Sequence, residues 1–478
     1  MIVQTSMPSL PSTARRKPLA ACFTALFLLA APEAFAATTW PVTNCNDSGA
    51  GSLRAVIAAP TTLSGDVVDL SGLTCSTITL TTGAITIAQN DLNIQGPARH
   101  EVITGCYYFN HACSLENDRV LYHKGAGTLQ LQYLNVSYGN LVPAAGSAFS
   151  AGNGGCIYSK GNVTLLDSTV YSCSIKSPGM GVGFNGGGVN ARGNLRVKYS
   201  QIAGNSATTT TSAFGGAGGG VWSGGTLYMK GSTINGNTAG SGGGALVASS
   251  AQIIESTISG NTAQKEVGGL YVAAGGVQPT LTIVSSTISG NVALTGEVGG
   301  VRSDSPTTVR NSTIAFNKAA ISHAPNDTFL HAAGLSVVSS YNHPTLTSFA
   351  VDLQSSILSN NAYGTTAADF STITTSSGAP IVITSANSLI RASIGPQHPP
   401  TVTTACPLLG PLRDNGGPTQ THSLMSRSPA IDAGNNAANQ GTDQRGTGYP
   451  RVSGAAADVG AYEVQQNDVI FNSGFDGC

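Results

Sequence analysis

The sequence predicts an all-β solenoid, a right-handed single-stranded parallel β-helix with an N-terminal cap, and three observations lead there. The first is a recurring phrase: two or three glycines, a small apolar stretch, then Ser-Thr-Ile-x-x-Asn, at 218–237, 242–261, 268–291 and 299–317. A unit this short cannot bury its apolar face alone and must rest on its neighbours. The second is the spacing. Aligned on the final Asn, the series extends back through Asn205, Cys173 and Asn140 and forward to Asn360, with offsets of 24 to 43 residues. A constant motif at variable spacing places the insertions in loops. The third is period-two alternation ahead of each Ile: Leu195 and Val197, Leu227 and Met229, Ala251 and Ile253, Leu281 and Ile283, interspersed with Lys198, Lys230, Glu255 and Ser285. That period belongs to strands with one face turned in.

The elements follow in chain order. Arg15, Arg16 and Lys17 precede an apolar run at 19–31, and Ala34-Phe35-Ala36 offers small residues for cleavage, so 1–36 is expected to be a secretory signal peptide. A lipoprotein box ending at Cys22 has almost no apolar residues ahead of it, and Pro18 disfavours a twin-arginine signal. The segment 37–100 is expected to supply a cap and the first coils: a short helix within 43–57, then strands at 65–70, 78–80, 85–87 and 92–97. A solenoid needs such a cap because its first coil otherwise exposes apolar rungs and an unpaired edge. The repeats occupy 101–400. Within them, Cys156, Val189, Val221, Ala245, Leu270, Val301 and Leu335 are expected to form one inward ladder, and Val170, Ile202, Ile234, Ile258, Ile288, Ile314 and Ile357 another. The repeated Asn is read as structural, tolerating a left-handed bend and stacking its amide from coil to coil. The glycine pairs are read as corners, not as a phosphate loop.

The 478 residues include 60 Gly and only 9% charged residues, with a net charge of −1. That balance gives no electrostatic case for nucleic acid or an anionic membrane, and no stretch beyond the leader is apolar enough to span a bilayer. Eight cysteines remain after cleavage, an even number that fits an oxidising compartment. Proximity suggests Cys45 with Cys75, Cys106 with Cys113, Cys156 with Cys173, and Cys406 with Cys478.

The Ser-Gly-x-Gly-Ser-Leu-Arg start and the glycine–Asn repeats resemble bacterial surface β-helix proteins, including those with polymorphic outer-membrane protein repeats, although Ile stands here where those commonly have Phe. The succession at 409–419, 421–424, 428–435, 442–446 and 457–463 resembles a choice-of-anchor Q domain, assigned to 401–463, with a tail at 464–478. The resemblance implies export and surface display, not a reaction. In this region Asp432, Asp443 and Asp458 are candidate ligands for a hard cation such as Ca²⁺. The alternative is that, with Arg445, Arg451 and Glu463, they close the solenoid end.

Pectate-lyase-like solenoids include polysaccharide lyases and hydrolases, so the outward residues matter most. One position past the inward ladder stand Ile157, Asn190, Trp222, Leu246, Tyr271, Arg302 and Ser336, a column without a carboxylate. Asn190, Trp222, Tyr271 and Arg302 are therefore candidate glycan-binding residues. Glu266 and Glu297 occupy the same position in neighbouring units, and with Arg302 they are the compact catalytic candidates. The sequence reading is a secreted or cell-surface rod that binds a glycan or a surface partner. A polysaccharide lyase or hydrolase is the first alternative, and a structural envelope component the second.

Overall fold

The computed structural model describes residues 37–98, 101–105, 118–143, 153–177, 184–209, 216–275, 279–320, 331–340, 348–376, 378–400, 402–436, 438–466 and 468. The expected leader, the Cys106–Cys113 pair and most of the tail lie outside them. One coil shows the winding rule. The chain runs Leu227–Lys230, turns, runs Thr233–Asn235, turns again into the short strand Thr238–Ala239, passes the glycines and returns as Ala245–Val247. The next strand, Ala251–Ile254, then lies parallel beside Leu227–Lys230. These four segments define faces one to four, which contain 12, 12, 9 and 11 strands among the described residues. The fold is the expected parallel β-helix, wound right-handed as parallel crossovers are.

The core is the stack of inward rungs. On face one Leu195, Leu227, Ala251 and Leu281 are in register, as are Val197, Met229, Ile253 and Ile283, and all are fully buried. On face two Val170, Ile202, Ile234, Ile258, Ile288 and Ile314 form the expected ladder. Its next rung is Leu358 rather than Ile357. The doubled Asn360-Asn361 had hidden a one-residue slip, and the side-chain period of two sends Ile357 to the outside. A second slip affects face four, where Ile157, not Cys156, pairs with Val189. A third affects Asn140, which is level with Ser174 rather than Cys173.

Two corners hold the coils in register. Between faces one and two, Tyr133, Asp167, Tyr199, Gly231, Glu255, Ser285, Asn311, Ser355 and Asn387 all have φ between 44° and 57°. Glu255 and Ser285 are therefore corner residues and not outward strand positions. The Ser that follows the corner bonds along the solenoid: each backbone N–H from Ser168 to Ser356 donates to the Oγ of the next coil's Ser at 3.0–3.3 Å. Between faces two and three stands the asparagine ladder. The left-handed residue there is the one before the Asn, namely Gly204, Gly236, Gly260, Gly290, Phe316 or Asn360. The ladder itself is Asn205, Asn237, Asn261, Asn291, Asn317 and Asn361, each Nδ2 donating to the next Oδ1 at 2.8–3.0 Å.

The last glycine of each phrase faces this ladder. A Cβ at Gly188, Gly220, Gly244, Gly269, Gly300 or Gly334 would come within 2.7–3.1 Å of the Asn amide. At the coil where Cys156 replaces that glycine and Cys173 replaces the Asn, the two sulfurs fill the same space and are bonded to each other. The predicted Cys156–Cys173 and Cys45–Cys75 bridges are both present, with Cα atoms 5.4 and 6.5 Å apart. Of the Cys406–Cys478 pair only Cys406 is among the described residues.

The cap contains the expected helix, α1 (Leu53–Ala58), with Ser52 at its N-cap accepting from the Ala55 N–H and with Leu53 and Ile57 buried. A strand that the sequence reading missed, Thr39–Pro41, precedes it and pairs with Val67–Asp69.

The C-terminal region lies along the flank of the solenoid, where the reading of its acidic residues had placed it across the end. Its hairpin, Leu409–Arg413 with Thr421–Leu424, rests on the outside of face two. There the outward threonines of Ser-Thr-Ile find partners: Thr257 Oγ1 donates to the Gln420 carbonyl at 2.7 Å, Thr287 Oγ1 to Gln444 Oε1 at 2.6 Å, and Thr313 Oγ1 accepts from the Ala461 N–H at 3.1 Å. The slipped Ile357 packs here with Leu389, Leu409, Leu424, Val459 and Tyr462.

Candidate functional site

The outward column of face four, taken from the strand register, is Thr86, Tyr122, Tyr158, Asn190, Trp222, Leu246, Tyr271, Arg302, Ser336 and Ser371. It thus carries four aromatic side chains where the sequence reading had two. Tyr158 was missed because Ile157 had been assigned its place, and Tyr122 because the glycine phrase is absent from its coil. The signal that could have found them is the pair Leu121-Tyr122 and Ile157-Tyr158, each an inward aliphatic followed by an outward Tyr.

A cation stands over each part of the column. The Arg119 guanidinium lies 4.9 Å from the Tyr122 ring centre and 5.3 Å from that of Tyr158, Arg192 lies 5.3 Å from Trp222, and Arg302 lies 5.0 Å from Tyr271. Such contacts hold the rings in place; Tyr122, Trp222 and Tyr271 keep part of their surface exposed, whereas Tyr158 is buried. Trp222 and Tyr271 are half-buried, whereas Asn190 is fully buried and donates through Nδ2 to the Asn185 carbonyl at 3.0 Å. Of the four candidate binding residues, Asn190 is therefore withdrawn from the surface.

The column meets the acidic candidates at one end. Val267 bridges Val298 in parallel register, so Glu266 and Glu297 do stand at the same place on adjacent coils, about 4.8 Å apart along the solenoid. They line one cavity of about 460 Å³ together with Lys265, Thr295 and Arg302. Asp304, which the sequence reading did not single out, ties two residues of the column together: Arg302 Nε donates to its Oδ1 at 2.9 Å and the Tyr271 hydroxyl to its Oδ2 at 2.9 Å. Burial pushes the Tyr271 phenol well above its ordinary range. Burial also disfavours the Arg302 charge, but the Asp304 carboxylate, together with Tyr271 and Glu266, outweighs it and raises the guanidinium pKa. Glu266 accepts from the Ser241 hydroxyl at 2.7 Å, and Glu297 lies 3.1 Å from His331 Nε2. His331, also unanticipated, is buried, with Nδ1 2.8 Å from Ser336 Oγ.

The three C-terminal aspartates are engaged within the protein. Asp443 and Arg445 form a fully buried ion pair at 2.8 Å. Asp458 accepts from the Asp432 and Val464 backbone N–H groups, and Asp432 accepts from that of Ala456. Burial raises the Asp443 and Asp458 carboxyls above their usual range against these bonds. Among the described residues no group of three or more His, Cys, Asp or Glu side chains is arranged to hold a metal ion. No described helix is long and apolar enough to cross a membrane.

No protein-family model matches the chain, and no curated protein matches it in sequence. Among solved structures, the crystal structure of the pectate lyase Pel9A is similar to it at 13% identity and a TM-score of 0.40, covering 89% of this chain and 97% of that one.

Proposed function

We propose that this chain works outside the cell as a binding rod that holds an extended glycan along the outward column of face four. The observation that carries this reading is the register of the partly exposed rings of Tyr122, Trp222 and Tyr271 on one line, braced by Arg119, Arg192 and Arg302. A strand ladder sets such rings at multiples of about 4.8 Å, which gives a repeating polymer several stacking platforms. Aromatic faces take the apolar side of sugar rings, and the guanidinium edges supply hydrogen bonds. Export is supported by the expected leader, by the two bridges and by the resemblance to surface-displayed proteins.

The second reading, a polysaccharide lyase or hydrolase, is favoured by the cavity that gathers Glu266, Glu297 and Arg302. Against it, the two carboxylates stand side by side on neighbouring coils, whereas glycoside hydrolysis places its two acids on opposite sides of the scissile bond. Both are also held by protein partners, Ser241 and His331.

The two readings separate in one experiment: the purified protein is incubated with a polysaccharide panel, with and without Ca²⁺, while retention on each polymer and release of reducing ends are followed. Binding without products is expected, weakened about tenfold or more in Trp222→Ala. Products that vanish in Glu266→Gln or Glu297→Gln would make the protein an enzyme. Neither binding nor products would leave a structural envelope component.

A further inference from the structure

A second site lies on the other flank, where the C-terminal hairpin meets face two. The corner residue Tyr199 is 53% exposed, an unusual position for a large ring in this protein. Its neighbour at the same corner of the next coil is Gly231, with φ 57°, and a Cβ there would come within 2.7 Å of two Tyr199 ring carbons. The ring therefore lies against bare backbone on one side. Pro418, at the hairpin turn, stands 3.8 Å from that same point. Tyr199 is thus a fixed platform, backed by glycine and walled by proline, with the rest of its surface open.

The platform forms part of a cleft of about 490 Å³ whose other walls are polar: Asp167, Thr169, Gln201, Thr233, Asn235 and Gln420 among them. Thr169, Gln201 and Thr233 are consecutive outward rungs of face two, so their spacing is fixed by the solenoid. Gln201 Nε2 donates to Asn235 Oδ1 at 3.0 Å, which orients both amides and leaves the Gln201 carbonyl oxygen and the Asn235 amino group for a ligand. Among the described residues, Asp167 is the only charged one lining the cleft, and the Lys198 ammonium is 6.0 Å from the Tyr199 ring centre.

We propose that this cleft binds a neutral sugar unit of a glycan, its apolar face on Tyr199 and its hydroxyls on Gln201, Asn235 and Asp167. Hydroxyl-rich rings with one apolar face match a platform ringed by amides, hydroxyls and one carboxylate. An acidic sugar is disfavoured because, among the described residues, the lining presents it no cationic side chain. The site does not depend on the column of face four, from which it is separate in the fold.

The test is isothermal titration calorimetry of the mature protein with neutral hexasaccharides of glucan, mannan, xylan and galactan, run on the wild type, Tyr199→Ala, Tyr199→Phe, Gln201→Ala and Trp222→Ala. At least one hexasaccharide is expected to bind with a component that falls about tenfold in Tyr199→Ala and in Gln201→Ala. That component should persist in Tyr199→Phe and in Trp222→Ala. Unchanged melting temperatures exclude misfolding as the cause. If no hexasaccharide shows a Tyr199-dependent component, the proposal is overturned. A component lost only in Trp222→Ala overturns it as well, while sustaining the reading of face four.

Discussion

Each inner rung of the asparagine ladder serves at least four bonds, one of them from its Nδ2 to the Oδ1 of the next rung. Asn261 Oδ1 accepts from both the backbone N–H and the Nδ2 of Asn237, at 3.0 and 2.9 Å, while its own Nδ2 donates to the Ile234 carbonyl at 3.0 Å. All of these groups are buried, so a truncation leaves donors that water cannot reach. Asn261→Ala is expected to lower the unfolding free energy by about 3–5 kcal/mol, since each orphaned buried polar group costs about 1–3 kcal/mol. Equilibrium urea denaturation measures this, and a loss under about 1 kcal/mol would show that the ladder does not support the fold. The cysteine pair teaches the same lesson in another chemistry. Gly and Asn meet at one spot in six coils, and Cys156 with Cys173 closes that spot covalently in a seventh.

Viewed as one element, the ladder needs an end, and Asp369 provides it. Its Oδ1 accepts from the N–H and Nδ2 of Asn361 at 2.9 and 2.8 Å, and its Oδ2 from the Ala392 N–H at 2.9 Å. Burial raises its pKa from 3.8 to about 6, even though the three bonds favour the carboxylate. An acid raised in this way adds stability that is complete below its unfolded value and is lost as the pH rises through its folded one. The window for Asp369 is therefore 3.8 to about 6, and Glu463, raised by burial from 4.5 to about 7, extends it upward. Asp47 works in the opposite sense. Burial alone would raise it, but its bonds with Arg54, Thr82 and Thr81 hold it near 2, so its contribution is lost as the pH falls through that value. His422, lowered by burial from 6.5 to about 4, gains stability over much of the same window, so only the two raised carboxyls together exceed it, and the melting temperature is expected to fall modestly between pH 5 and pH 7. Asp369→Asn, which gives up the Ala392 bond, should be less stable overall but melt with a shallower pH slope by calorimetry. An unchanged slope would remove Asp369 from this account.

At the scale of the whole molecule, the C-terminal region acts as a strap on the flank. It satisfies the outward threonines of three coils and covers the apolar residues that the slip of Ile357 turned outward. His422 sits at its centre, 2.7 Å from the Gly410 carbonyl through Nδ1 and 2.8 Å from Ser289 Oγ through Nε2. Burial lowers its pKa to about 4, so the ring is neutral, with the proton on Nδ1 and Nε2 accepting from the serine. Solenoid stability is a sum of coil and neighbour contributions, so removal of 405–478 should leave the helix folded. It is expected to lower the melting temperature by several degrees and to open 311–390 to limited proteolysis. Unchanged melting and cleavage would show that the strap adds nothing to the solenoid.

The sequence by itself determined the winding. Period-two rungs, glycines and the Ser-Thr-Ile-x-x-Asn phrase are local signals, and the identity of the inward residue at most coils follows from them because burial tolerates no alternative. It also placed Glu266, Glu297, Tyr271 and Arg302 in neighbouring coils, since stacking preserves position within the phrase. Only the tertiary structure decided the rest. A one-residue slip, invisible where Asn360 and Asn361 stand together or where Cys156 replaces a glycine, exchanges inside for outside, and it hid Tyr158 and freed Ile357. Asp304 and His331 meet Arg302 and Glu297, which line the cavity, through side-chain reach and loop return, which carry no period. The strap covers face two by matching hydroxyls more than 130 residues away in the chain, and such pairings are set by the shape of the completed solenoid, which no local pattern encodes.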